Sequence, residues 1–186
     1  MKTKSMRDTA PHPGRPIVTS ATLVFEDVYR AHFQFVFTRA ARLGGLEVDA
    51  EEAAQDVFMV VARKLDSFDG TSQVTTWLYG ITLNVVRSLR RRARIRRLWE
   101  RSELVATSVA VQSIDRAEVR EAHRIAYSIL DKMSSKKRDV FILAEFEDLT
   151  CEEIAGIVGT KAETVWSRLH YARAEFARRL AARGLP

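Results

Sequence analysis

The sequence predicts an all-α fold of two small helical domains joined by a linker, and three observations carry that reading. Apolar residues recur at helical spacing along most of the chain, and no segment alternates apolar and polar residues long enough to make a strand. Helix-ending punctuation falls between these patterns, at Gly44-Gly45, Ser134-Ser135 and Gly159-Thr160. Late in the chain Thr150 with Glu153, and Thr160 with Glu163, have the offset of capping boxes. Each such cap contributes about 1 kcal/mol to its helix.

Composition narrows the partners. The 186 residues carry a net charge of +6 and a sequence pI near 9.8, which favours a polyanion if the charge is clustered. The single cysteine excludes an internal disulfide. No apolar run approaches the roughly 18 residues of a membrane span. Pro11, Pro13 and Pro16 stand where a signal peptide has its apolar core, so residues 1–20 read as a disordered tail and the protein as cytoplasmic, without membrane contact of its own.

In chain order, the first helix spans Thr22–Leu43, with Leu23, Phe25, Val28, Phe33, Val36, Phe37 and Ala40 apolar, and stops at Gly44-Gly45. His32 sits among these aromatics with no second ligand a turn away, so it reads as a satisfied or half-exposed histidine and not as a ligand. Asp49 caps the second helix, Ala50–Leu65, with Glu52 placed for a capping box. Ala53, Val57, Val60 and Val61 form its apolar face, and Glu51, Glu52, Gln55 and Asp56 make its first turns acidic. The helix dipole and an acidic docking surface explain those acids equally well. A polar loop, Asp66–Thr76, pivots on Gly70.

The next helix, Trp77–Arg97, changes character halfway. Trp77, Leu78, Ile81, Leu83, Val85 and Val86 are followed by arginine at 87, 90, 91, 92, 94, 96, 97 and 101, with Glu100 the one acid among them. Pairing at i,i+4 cannot neutralise such a run, which is the electrostatic footprint of a nucleic-acid surface. A membrane-surface helix is the rival reading, but its apolar face fades beyond Leu98 and Trp99.

Residues 102–114 read as a linker. A helix from Asp115 to Met133 and another over Lys136–Glu147, with Val140, Phe141, Leu143, Ala144 and Phe146 inward, lead into Thr150–Phe176. There, two short capped helices flank the Gly159-Thr160 turn, one burying Ile154, Ala155, Ile157 and Val158, the other Val165, Leu169, Ala172 and Phe176. This is a helix-turn-helix pattern. Its second helix offers Lys161, Thr164, Trp166, Ser167, Arg168, His170, Tyr171 and Arg173 outward, a mixture suited to phosphates and base edges. His12, His32, His123 and His170 are scattered and the acids fall on helix starts, so neither a metal site, a cofactor nor a catalytic constellation is expected. Cys151, at a helix start beside Glu152 and Glu153, reads as a small residue filling the first turn rather than a reactive thiol.

Two blocks carry a family resemblance. AEEAAQDVFMVVARKLDSFDG with TWLYGITLNVVRSLRRR (residues 50–70 and 76–92) resembles sigma region two. MSSKKRDVFILAEFEDLTCEEIAGIVGTKAETVWSRLHYARAEF (residues 133–176) resembles sigma region four. In this order, with a short link between them, they resemble the extracytoplasmic-function group of bacterial sigma factors from about Leu23 to Leu180. The resemblance implies region two over 21–98, a linker over 99–118 and region four over 119–183. It implies docking of Glu52, Gln55, Asp56 and Phe58 on core RNA polymerase. It implies capture of the promoter −10 strand by Ser67, Asp69, Thr75, Thr76, Trp77, Asn84, Arg87, Arg90, Arg91 and Arg92, and reading of the −35 element by the Lys161–Arg173 helix. An anti-sigma factor is a partner common in the family. A free-standing helix-turn-helix regulator is the alternative, but it leaves the loop and the arginine-rich helix without a task.

Three positions depart from the family pattern. Ala53 replaces a bulky aliphatic, Trp166 a basic residue and Tyr171 an arginine. Trp166 is then either packed on sugar or a thymine methyl, or filling a core edge, and the −35 sequence cannot be borrowed from relatives.

Overall fold

The computed structural model describes residues 23–100 and 117–184. Among them the chain forms seven α-helices and no strand: α1 (Phe25–Gly44), α2 (Ala50–Lys64), α3 (Val74–Glu100), α4 (Ala117–Leu130), α5 (Ser135–Glu145), α6 (Cys151–Val158) and α7 (Ala162–Ala181), with one 3-10 turn at Leu65–Ser67. The expected tail, almost all of the linker and the Asp115 helix start lie outside the described residues.

Local chemistry sets most of these limits. Gly45 takes φ 64 and donates to the Ala41 carbonyl, closing α1. The Asp49 carboxylate accepts from the amides of Glu51 and Glu52, each at 2.9 Å, and starts α2. Helix α3 begins earlier than expected because the Gln73 carbonyl already accepts from the Trp77 amide at 3.1 Å, so Thr75 and Thr76 belong to its first turn. The Thr150–Glu153 capping box is complete in both directions. The Thr160 box does not form. The Thr160 amide donates to the Ala155 carbonyl at 3.0 Å, finishing α6 beyond left-handed Gly159, and Lys161 stands at the start of α7 without a side-chain cap.

Two apolar clusters hold the helices. In the first, Val28 and Val36 of α1 meet Ala54, Val57, Phe58 and Val61 of α2 and Leu78 and Ile81 of α3. At about 1.5–3 kcal/mol for each fully buried aliphatic or aromatic side chain, this three-helix wedge has ample driving force. The second cluster crosses the chain. Ala40, Leu43, Tyr79, Leu83 and Val86 from α1 and α3 pack in one continuous group with Tyr127, Leu130, Phe141, Ile142, Ile154, Val165 and Leu169. Helix α3 lies against α6 and α1 against α5, so the two predicted domains close on each other. Cys151 packs, partly buried, against this core, in keeping with its reading as a filler of the first turn. His32 sits half-buried in α1 with its ring edge-on to Phe35, 6.3 Å between centroids.

Candidate nucleic-acid interface

Helix α2 turns a stripe of four residues outward. Glu52, Gln55 and Met59 are exposed and Asp56 half-exposed, at the i, i+3, i+4, i+7 positions of one face. Phe58 is not on it: it is 4% exposed and stacked among Tyr29 and Phe33 at 4.7 and 6.2 Å between ring centroids. Whereas the resemblance offered Phe58 for docking, the apolar residue on this outward face is Met59, 61% exposed. The same helical spacing that places Glu52 and Asp56 outward could have found it.

The loop before α3 is held by its own side chains. Asp69 Oδ1 accepts from the Thr71 amide at 3.0 Å and from the Thr71 hydroxyl at 2.7 Å, and these bonds hold its carboxyl below the usual range. The Ser67 hydroxyl donates to the Lys64 carbonyl at 2.7 Å. Phe68 and Trp77 bring their rings to 5.0 Å, an aromatic wall beside Thr75 and Thr76, all four of these residues being half-buried.

Past this wall the arginines of α3 divide into two sets. Asn84, Arg91, Arg92 and Arg94 are exposed. Arg87 is half-buried and donates through Nε to Asp139 Oδ2 at 2.7 Å. Arg90 is 7% exposed, donates to the Gly44 carbonyl and to Asp131 and forms an ion pair with Glu47, each at 3.0 Å, while Arg97 pairs with Glu47 at 2.6 Å. Asn84, Arg87, Arg91, Arg94 and Leu98, with Ser135 and Asp139 from α5, line a groove of about 530 Å³. A basic groove of this kind suits a phosphate chain.

Helix α7 is positioned by its inward face. Val165, Leu169 and Ala172 are buried and Phe176 stacks on Phe141 at 4.7 Å. Lys161, Trp166, Ser167, His170 and Tyr171 are exposed on its opposite side, with Thr164 and Arg168 half-exposed. Trp166 is 65% exposed, which excludes a core filler, and its ring stacks on His170 at 5.8 Å and 12°. Tyr171 meets His170 edge-on at 5.5 Å. Arg173 is exposed as well and pairs with Glu145 of α5 at 2.7 Å. Among the described residues no three His, Cys, Asp or Glu side chains gather as metal ligands, and no helix is long and apolar enough to cross a membrane.

An all-helical frame with a basic groove along α3 and an outward helix-turn-helix is the arrangement of a candidate DNA-binding protein. Comparison with known proteins makes this specific. The family model for Sigma-70 region 2 matches residues 28–95, and that for Sigma-70, region 4 matches residues 123–176. The RNA polymerase sigma factor YlaC of Bacillus subtilis is 30% identical over 158 residues, covering 83% of this chain and 91% of that protein. The RNA polymerase sigma factor NccH of Alcaligenes xylosoxydans xylosoxydans is 26% identical over 155 residues, covering 81% and 83%. Among solved structures, CnrH in complex with the cytosolic domain of CnrY aligns with a TM-score of 0.61 at 26% identity, covering 85% of this chain and 88% of that one. The chain belongs to the sigma-70 family of RNA polymerase sigma factors, in its extracytoplasmic-function group.

Proposed function

We propose that this sigma factor docks on core RNA polymerase through the α2 stripe of Glu52, Gln55 and Asp56, extended by Met59. Residues 21–98 then capture the −10 strand. Phe68 and Trp77 offer an aromatic wall on which an unstacked base can rest, Ser67, Asp69, Thr75 and Thr76 supply polar partners, and Asn84, Arg87, Arg91 and Arg92 hold phosphates. Residues 119–183 read the −35 duplex with the outward side of α7, from Lys161 to Tyr171. The protein supplies specificity and strand capture, and the bond-making chemistry belongs to the polymerase. It works in the cytoplasm, where that enzyme is.

The observation that carries this reading is the order of the two matched segments, residues 28–95 and 123–176, each with its own exposed nucleic-acid surface. Because the aligned relative CnrH was solved in complex with a second protein, the cytosolic domain of CnrY, an anti-sigma factor is proposed as a further partner of this chain. The test is transcription in vitro from a randomised promoter library with bacterial core polymerase. Transcripts that need this protein, from templates sharing two spaced motifs, are expected. Duplex binding without polymerase, and no transcripts, would overturn it.

A further inference from the structure

We propose that Glu163 is a specificity-determining residue of the −35 surface, its carboxylate accepting a hydrogen bond from the amino group of a cytosine in the major groove. This rests on the reading of the −35 duplex by α7 proposed above and narrows it to one base.

The two helix starts around the turn share a sequence signature but use their glutamates differently. Glu153 is occupied at home, its carboxylate accepting from the Thr150 amide at 2.9 Å and from the Thr150 hydroxyl at 3.0 Å. At the second start the Thr160 amide donates to the Ala155 carbonyl and so ends α6, and no side chain caps α7. Glu163 is left with nothing to close on. Among the described residues its carboxylate has no hydrogen-bond or ion-pair partner.

The helix aims this uncommitted acid outward. Glu163, Trp166, Ser167 and His170 stand at i, i+3, i+4 and i+7, and all four are exposed, away from buried Val165, Leu169 and Ala172. Glu163 is the N-terminal member of that stripe, and a recognition helix meets base edges with its N-terminal residues. The helix dipole favours an acid in the first turn, but it is indifferent to which base lies opposite.

The chemistry of the groove selects the base. A carboxylate only accepts hydrogen bonds, and DNA phosphates repel it, so it gains nothing from the backbone. Phosphate contact falls instead to exposed Lys161 and half-exposed Arg168. Guanine presents O6 and N7 and thymine presents O4, all acceptors. Adenine places its amino group beside the N7 acceptor, which the second carboxylate oxygen would face. Cytosine alone offers an amino donor and no acceptor of its own. Glutamine inverts the preference, because its amide carries a donor and an acceptor that match adenine N6 and N7 together.

The test is transcription in vitro from a promoter library randomised across the −35 element, with bacterial core polymerase and the full chain as wild type, Glu163→Gln or Glu163→Ala. Circular dichroism establishes that each variant is folded. Wild-type transcripts are expected to share a −35 motif with cytosine at one position, favoured about tenfold over the other bases. Glu163→Gln should move that position to adenine and Glu163→Ala should leave it without preference, with the rest of the motif unchanged. A motif without such a cytosine, or a cytosine retained by either variant, would overturn the proposal. So would a loss spread evenly over all sequences, the mark of a role confined to the helix start. Transcripts that share a −10 motif but no −35 motif would instead overturn the reading of the −35 duplex by α7, and the proposal with it.

Discussion

Helices α3 and α7 are the two helices proposed to meet nucleic acid, and they are built on opposite plans. Between Arg87 and Arg97, α3 carries seven arginines, but Arg87, Arg90 and Arg97 are turned onto Asp139, Asp131 and Glu47. Helix α7 spends few cations and exposes Trp166, His170 and Tyr171 instead. The difference teaches that a run of arginine is not itself an interface. Burial decides which members hold the protein together and which are left for phosphate.

The largest effect should separate those two classes within α3. Replacing Arg90 by alanine takes a buried cation from Glu47 and Asp131, leaving Glu47 to Arg97 and Asp131 to Arg138 at 3.5 Å, and leaves the Gly44 carbonyl without its donor. Breaking a buried network of this type costs about 3–5 kcal/mol. Replacing exposed Arg92 by alanine should move stability by less than about 0.5 kcal/mol. Urea denaturation of both variants makes the comparison. Equal midpoints would mean that α3 is not divided in this way.

A smaller effect tests the two helix starts that frame α6 and α7. They look alike in sequence, yet Thr150 makes its box and Thr160 is used up in ending α6. Thr150→Ala should cost about 1 kcal/mol and Thr160→Ala only a few tenths. If Thr160→Ala proves as damaging as Thr150→Ala, the start of α7 is capped by its side chain after all.

These cases show what the sequence can and cannot reveal. Helix positions were legible because Gly45, Asp49, Thr150 and Gly159 act locally, through their own φ values or side chains. The outward residues of α7 were legible because Val165, Leu169 and Ala172 fix the inward face. Phe58, offered for docking by the resemblance and not by helical spacing, is held inside by the aromatic packing of Tyr29 and Phe33, which leaves Met59 out. The tie between the halves was not legible at all. Asp139 and Arg87 lie 52 residues apart, and no local pattern links them.

The third prediction concerns the aromatic face of α7. An exposed indole held by a stacked histidine offers apolar area on the outward side of α7, and thymine methyls are the apolar feature of the major groove. Substituting deoxyuridine for thymidine in the −35 element removes only those methyls. Each methyl lost from an apolar contact is worth about 0.8 kcal/mol, or about fourfold in promoter binding by the polymerase complex. The loss should disappear in Trp166→Ala. If deoxyuridine is neutral with the wild-type chain, Trp166 lies on sugar or phosphate instead.

The smallest expected effect is a pH dependence at His123 of α4. Desolvation holds this imidazole below its ordinary value, and its ring lies 4.4 Å from that of Tyr127, whose burial pushes its phenol up to about 12 and whose hydroxyl caps Arg42. With the folded value below the unfolded one, the unfolded chain binds the extra proton first. The stabilising contribution is therefore complete above about pH 6.5 and is lost as the pH falls through the folded value. His123→Gln should remove that part of the acid loss and leave the portion that sets in below about pH 4.5, where Glu175, held low by Lys137 and Arg179, gains its proton. Urea midpoints for both chains across the range from about pH 8 to about pH 5 decide it, because only the wild type should weaken as the histidine titrates. Parallel curves would mean that His123 is not a source of the acid sensitivity.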